Sequence, residues 1–202
     1  FNDHFHPETA IAAVAVLERA GFDVEIPRAH LCCGRPLYDY GMLDQAKRRL
    51  EDIITALWRE IDEGLPIVGL EPSCVAVFRD ELCNLLPGDQ DALRLKQQTF
   101  ILSEFLAKHG WHPPHKLERQ VVMHGHCHHK AVLKFDKEKQ VMSQFIDDCD
   151  VLESGCCGMA GAFGYEKQHY DVSQKCGERK LLPAVRDAAK EAIIVTDGFS
   201  CR

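Results

Sequence analysis

Apolar positions along the chain change period several times, and each change predicts an element. Ile11, Val14 and Leu17 share one helical face between Pro7, placed for a first turn, and Gly21, placed as a stop. Phe22, Val24 and Ile26 then alternate as a half-buried strand would. Leu43, Ala46, Leu50, Ile53, Leu57 and Ile61 mark a long amphipathic helix. A short apolar strand over 66–70 leads to Cys74, and a helix follows over 75–86. Further on, Val121, Val122 and Met123 read as a strand entering a His/Cys loop. Val141, Met142, Phe145 and Ile146 lie on a helix, and Val151 and Leu152 form a strand. A helix starts from about Tyr165, and Ile193, Ile194 and Val195 form a last strand. Strands alternating with helices predict an α/β fold of parallel sheets with flanking helices and right-handed crossovers. Ligands of such sheets gather beyond the carboxyl ends of the strands, and Cys32, Cys74, Cys127, Cys156 and Cys201 each follow an expected strand end.

The pattern also suggests a repeat. Cys-Cys-Gly occurs at 32–34 and at 156–158, an offset of 124 residues. Glu71-Pro72-Ser73-Cys74 and Asp197-Gly198-Phe199-Ser200-Cys201 follow the two motifs at similar distances. We expect two related units, 1–112 and 116–202, joined near 110–114 and related by a pseudo-twofold. By this alignment the first unit lacks its N-terminal strand, the second lacks its C-terminal helix, and Asp3 stands where the second unit has Cys127. The expectation is a domain excised from a longer chain.

Composition narrows the chemistry. The 202 residues are 46% hydrophobic and 27% charged, a globular balance, with a net charge of −7 that argues against nucleic acid as a partner. No apolar run has the length of a membrane span and no signal-peptide pattern opens the chain, so the expected location is the cytoplasm, with peripheral contact to the inner face of a membrane left open. Ten cysteines are many for this length. Without an export signal, clustered beside Gly and His, they favour thiolate metal ligands over disulfides, and adjacent cysteines rarely bond each other.

Seven cysteines are candidate ligands: Cys32, Cys33, Cys74, Cys127, Cys156, Cys157 and Cys201. Thiolates are soft donors that suit iron–sulfur clusters and zinc. The plainer alternative, small buried apolar residues, weakens with two Cys-Cys pairs and matched outlying cysteines. Gly34 and Gly158 are placed for turns whose backbone N–H groups offset the charge of a thiolate-bound cluster. His124, His126, His128 and His129 flank Cys127. Zinc is the alternative metal there, and His128 is the histidine expected to touch the metal or donate to its sulfur. Cys176, expected in core packing with Tyr165, His169 and Val172, is read as a bystander, as are Cys83 and Cys149. No nucleophile–base pair, dinucleotide fingerprint or phosphate-binding loop is present, so no catalytic residue is assigned.

The motifs at 32–41, 71–74, 124–128, 156–164 and 197–202 resemble the cysteine-rich CCG domain family, which includes a subunit of heterodisulfide reductase and the iron–sulfur subunit of glycolate oxidase. They look most like the C-terminal part of fused FAD-linked oxidases of D-2-hydroxy acids. The resemblance implies two related α/β units with metal at the Cys-Cys-Gly loops. It implies an iron–sulfur cluster, of 4Fe-4S type, relaying electrons from a flavin. The FAD would sit on a flavin-binding domain of the parent polypeptide or on a partner subunit. The substrate would be D-lactate, glycolate or D-2-hydroxyglutarate in type, the acceptor a quinone or cytochrome, and the piece inactive alone. The five-cysteine pattern of the heterodisulfide reductase member is not kept, since Val77 stands three residues after Cys74. Its non-cubane clusters are therefore not carried over. A zinc-stabilised docking module and a heterodisulfide-reductase-like catalytic cluster domain are the competing readings.

Overall fold

The structure, a computed structural model, describes residue 2 and residues 4–202. Asp3, the expected counterpart of Cys127, lies outside the described residues, as does the strand placed before Phe1. The chain divides into two compact units, Phe1–Phe105 and Leu106–Arg202.

The first unit opens with α1 (Pro7–Arg19), which has Pro in its first turn and buries Ala13 and Leu17. Gly21, at φ +90°, closes it: the Gly21 N–H donates to the Glu18 carbonyl and the Phe22 N–H to that of Leu17. This pair of bonds satisfies the last helical carbonyls, and the left-handed residue it requires is readily supplied by glycine. Ile11, expected on the buried face, is exposed. After Gly21 the chain is extended, but residues 22–26 form no strand and Ile26 is 71% exposed. In the second unit the corresponding strand pairs with one neighbour only, and no described residues of the first unit supply that neighbour.

Helices α2 (Arg35–Asp39), α3 (Leu43–Ala56) and α4 (Trp58–Asp62) follow. The long helix expected over 43–61 is interrupted at Leu57, yet the hydrogen bonds from Leu57 to Ile53 and from Ile61 to Leu57 continue across it. One stripe, Leu50, Ile53, Leu57 and Ile61, therefore stays buried, against Val77, Leu82 and Leu95. Burying such a side chain contributes about 1.5–3 kcal/mol. Strand β1 (Ile67–Gly69) leads to α5 (Pro72–Ala76), a π-helical turn (Val77–Glu81) and α6 (Leu82–Leu85). The sequence pattern did not anticipate α7 (Gln90–Gln98) or β2 (Thr99–Ile101), which pairs parallel with β1; α8 (Leu102–Lys108) comes next.

The second unit is built on three parallel strands in the order β4-β3-β5. Central β3 (Val121–His124) is flanked by β4 (Cys149–Val151) and β5 (Ile193–Thr196). All four β3 residues are buried. Val121 and Met123 pack on Phe135 and on Ile146, the latter just past α9 (Asp136–Phe145). Val122 faces the other way, onto Leu181 of α11 (Leu181–Asp187). Helices thus cover both faces, as an all-parallel sheet requires. The helix expected from Tyr165 starts later. Short 3-10 turns precede α10 (Tyr170–Gly177), whose buried residues are Ser173 and Gly177. Tyr165 and Val172 are exposed, so the face assigned to Cys176 is not a core face.

Both sheets are parallel and helix-flanked, as the alternation predicts. Their strand orders differ, however: a β1-β2 pair in the first unit, β4-β3-β5 in the second. The sheets therefore lend no support to a pseudo-twofold between the units.

Candidate metal centre

In the second unit the chain leaves β3 for β4 on one side and then crosses to β5 on the other, so the loops after all three strands meet above the end of β3. A crevice at such a reversal of strand order is where open parallel sheets bind ligands. The loop after β3 carries Cys127, that after β4 carries Cys156 and Cys157, and that after β5 carries Cys201. Their side chains form a continuous series of contacts. Cys127 meets Cys156, Cys156 meets Cys157, and the sulfurs of Cys157 and Cys201 are 3.4 Å apart. A nitrogen of His124, the last residue of β3, lies within 4.8 Å of the Cys157 and Cys201 sulfurs.

Backbone geometry favours negative charge here. Gly158 has φ +103°, and a side chain on it would run into the Ser173 carbonyl oxygen at 2.2 Å. Free of that clash, its N–H donates to the Cys156 sulfur at 3.3 Å. Contacts from Cys127 and Cys157, with the backbone N–H groups of Gly158 and Ala160, hold the Cys156 thiol well below its ordinary value. Cys201 is lowered to about 6, first by Cys157 and then by the imidazoles of His124 and His126. Cys127 and Cys157 are pushed up, chiefly by the sulfurs they contact and then by burial. A thiolate shared with protonated neighbours is a state from which metal binding displaces protons.

Buried polar groups tie the loops together. Asp197 accepts the His126 N–H at 2.7 Å and holds Nδ1 of His129, a fully buried ring. It joins the loop after β5 to the loop after β3. Gly198 allows the approach, since a Cβ there would lie 2.2 Å from the His126 ring. His124 Nδ1 sits 2.7 Å from Ser154 Oγ, and Lys130 Nζ donates to the Ser154 carbonyl at 2.6 Å. His128 belongs to a second group of donor atoms with His126 and Cys127. The His126 and His128 rings stack 5.3 Å apart, and the His128 N–H donates to His126 Nδ1.

The first unit brings two cysteines together: the Cys33 and Cys74 sulfurs are 3.0 Å apart. Cys74's hydrogen bond, with help from the Arg35 backbone N–H and guanidinium, lowers Cys33 against the effect of burial, and the same contact drives Cys74 up. Cys32 is exposed. Among the described residues no strand precedes Cys32, contrary to the expected placement. Gly34 takes φ +75° and opens α2. Behind it, Arg35 pairs with Glu81 at 2.6 Å in a mostly buried contact, and Glu71 accepts from Ser73 Oγ at 2.8 Å.

The three remaining cysteines join neither group. Cys149 begins β4, at the opposite end of that strand from Cys156, and its thiol is raised by burial and by Asp150 and Asp148. Cys83 lies near the Ala92 carbonyl, and Cys176 lies on α10. Asp197, Ser154, Lys130, Arg35 and Glu81 drew no role from the sequence. Asp197 and Arg35 stood inside recognised motifs, which was the one available signal; the others act through partners distant in the chain.

The donor set fits a thiolate-bound metal. It has four soft sulfurs, inward backbone N–H groups and a buried imidazole nitrogen, His124 Nε2, with no hydrogen-bond partner.

Comparison with known proteins agrees in kind. Residues 1–79 match the cysteine-rich CCG domain. The whole chain is 26% identical to a subunit of the anaerobic glycerol-3-phosphate dehydrogenase of Escherichia coli K12, of which it covers 52%. It is 26% identical, over 89% of its length and 76% of the relative, to lactate utilization protein A 2 of Bacillus cereus strain Q1. The chain thus spans about half the length of the dehydrogenase subunit it matches. No solved structure matches it. The likeness read from the Cys-Cys-Gly motifs holds to this extent: residues 1–79 match the cysteine-rich CCG domain, and the chain is similar along its length to a subunit of a dehydrogenase.

Proposed function

We propose that the second unit holds an iron–sulfur cluster through Cys127, Cys156, Cys157 and Cys201, and that the chain is the electron-transfer part of a flavin-dependent oxidoreductase. The carrying observation is the convergence of these four sulfurs above a three-stranded parallel sheet, with the Gly158 N–H on the Cys156 sulfur. A bound cluster of 4Fe-4S type would supply one-electron carriage. The protein's part is to hold it, to offset its charge with backbone N–H groups, and to fix its loops through Asp197 and Ser154. Cys32, Cys33 and Cys74, with Gly34, are proposed as a second, less complete site in the first unit.

Oxidation of an alcohol removes two electrons at once, which is flavin chemistry. The chain carries no dinucleotide fingerprint, so FAD is assigned to a domain of the parent polypeptide or to a partner subunit. The relatives' names, a glycerol-3-phosphate dehydrogenase subunit and a lactate utilization protein, favour a hydroxylated small-molecule substrate. We assign a D-2-hydroxy acid, with a quinone or cytochrome as acceptor. No helix among the described residues is long and apolar enough to cross a membrane, so contact with a membrane-bound acceptor is proposed to be peripheral.

Anaerobic reconstitution with iron and sulfide tests the reading. The expected product has broad visible absorbance bleached by dithionite, with iron and acid-labile sulfide in equal amounts. The group of His126, Cys127 and His128 favours zinc as the second reading. A colourless protein holding zinc and refusing iron would establish the docking module instead.

A further inference from the structure

We propose that His124 is a direct nitrogen ligand of the second unit's metal centre, which makes the donor set mixed nitrogen–sulfur rather than thiolate alone. This rests on the reading that the second unit binds metal.

His124 ends the central strand, and its residue is 1% exposed. Nothing in the sequence separates it from His126, His128 and His129; its place beside the Cys157 and Cys201 sulfurs does. Its Nδ1 is 2.7 Å from Ser154 Oγ. That oxygen also receives Lys130 Nζ at 3.3 Å and directs its own hydroxyl to the Leu152 carbonyl at 3.4 Å. These contacts fit the tautomer with its ring proton on Nδ1, in which the oxygen accepts from the ring. Nε2 then carries a lone pair and has no hydrogen-bond partner, and a ring nitrogen of His124 lies within 4.8 Å of the Cys157 and Cys201 sulfurs. An imidazole buried with one nitrogen fixed by a hydrogen bond and the other bare is arranged as metal-binding histidines are. The other histidines fit less well. His129 is held by Asp197, packs edge-on against Phe135 and joins neither donor group. His126 Nδ1 already accepts the His128 N–H. His128, expected to touch the metal or donate to its sulfur, groups with Cys127 rather than with the Cys157 and Cys201 pair.

The test is pulsed electron paramagnetic resonance on the chain, reconstituted anaerobically with iron and sulfide and then reduced. The wild-type protein should show hyperfine coupling from a directly bound nitrogen, altered by 15N-histidine labelling. The coupling should persist in His128→Ala and vanish in His124→Ala. His124→Cys should retain metal without nitrogen coupling, which keeps the test decisive if the alanine variant folds poorly. A loaded wild-type protein with no bound-nitrogen coupling, or with only an exchangeable deuteron near a sulfur, overturns the ligand in favour of an N–H donor. So does coupling that survives His124→Ala. Should the wild type take no iron–sulfur cluster, the electron-transfer reading fails on its own. Cobalt(II) spectra of wild type against His124→Ala then decide His124 independently, a spectrum unchanged by the substitution overturning the assignment. Binding of neither metal overturns both.

Discussion

Two glycines open the two Cys-Cys-Gly turns with positive φ, yet their surroundings differ in a way that substitution can measure. Gly158 sits with the Ser173 carbonyl oxygen 2.2 Å from where a Cβ would be, whereas the nearest atoms to a Cβ on Gly34 are at 3.5 Å. Gly34→Ala should therefore cost only the left-handed backbone strain, about 1–2 kcal/mol. Gly158→Ala adds a backbone collision, should cost about 2–4 kcal/mol and should lower metal content, because relief of the clash moves the N–H that serves Cys156. Denaturant titration and metal analysis check both; equal costs would count against the steric account. Cys176→Ser, on a partly exposed helix face, should leave metal content unchanged and shift stability by no more than about 0.5 kcal/mol. Lost metal in that variant would mean the ligands are wrongly sorted.

At the scale of elements, the π-helical turn after α5 ends at Glu81, whose carboxylate meets Arg35 directly after the Cys32-Cys33-Gly34 turn. Burial works to lower the Arg35 pKa, but the Glu81 carboxylate outweighs it and the guanidinium is held in its charged form. Removing one partner strands the other's charge. Glu81→Gln should destabilise the protein by about 3–5 kcal/mol, while Arg35→Met combined with Glu81→Leu should recover most of that loss. A double variant as unstable as the single one would show that packing, not charge, is at stake. The pair also illustrates what a sequence does not disclose. The buried stripe of α3 and α4 and the three strands of the second unit were legible from periodicity alone. The extended segment at 22–26 has the alternation of a strand but no neighbour to bond, and periodicity is silent about neighbours. The residues of β2 drew no assignment because Thr99, Phe100 and Ile101 are too few to show a period. Which cysteines follow strand ends was readable; that Ser154 and Lys130 orient His124 was not, because their contacts span 24–30 residues of chain.

For the whole molecule, the proposal separates substrate oxidation from electron delivery, and the two steps can be timed. The isolated chain should show no dehydrogenase activity towards D-lactate or D-2-hydroxyglutarate. In the intact parent, Cys156→Ser should leave flavin reduction by substrate within about twofold of wild type and slow reoxidation by the acceptor at least tenfold, about 1.4 kcal/mol of barrier. Stopped-flow absorbance follows both. A folded, flavin-loaded variant whose flavin is no longer reduced would assign the sulfurs a direct part in substrate chemistry. The net charge of −7 makes a basic docking face on the flavin partner the simplest complement, with association that weakens as salt rises.

Asp197 lies directly after β5 and closes onto two histidines of the loop after β3, a separation of about seventy residues. During synthesis the donors leave the ribosome in the order Cys127, Cys156 and Cys157, then Cys201. The loops after β3 and β4 can be joined through Ser154 once those strands pair, but the Asp197 contacts and Cys201 arrive only when β5 docks beside β3. Until then, reactive thiols stand without their final neighbours and are open to oxidation or to capture of the wrong metal. Cofactor insertion into this site therefore belongs after translation of the unit, as a maturation step acting on a finished sheet, and a nascent chain stalled before β5 would be a poor recipient for it.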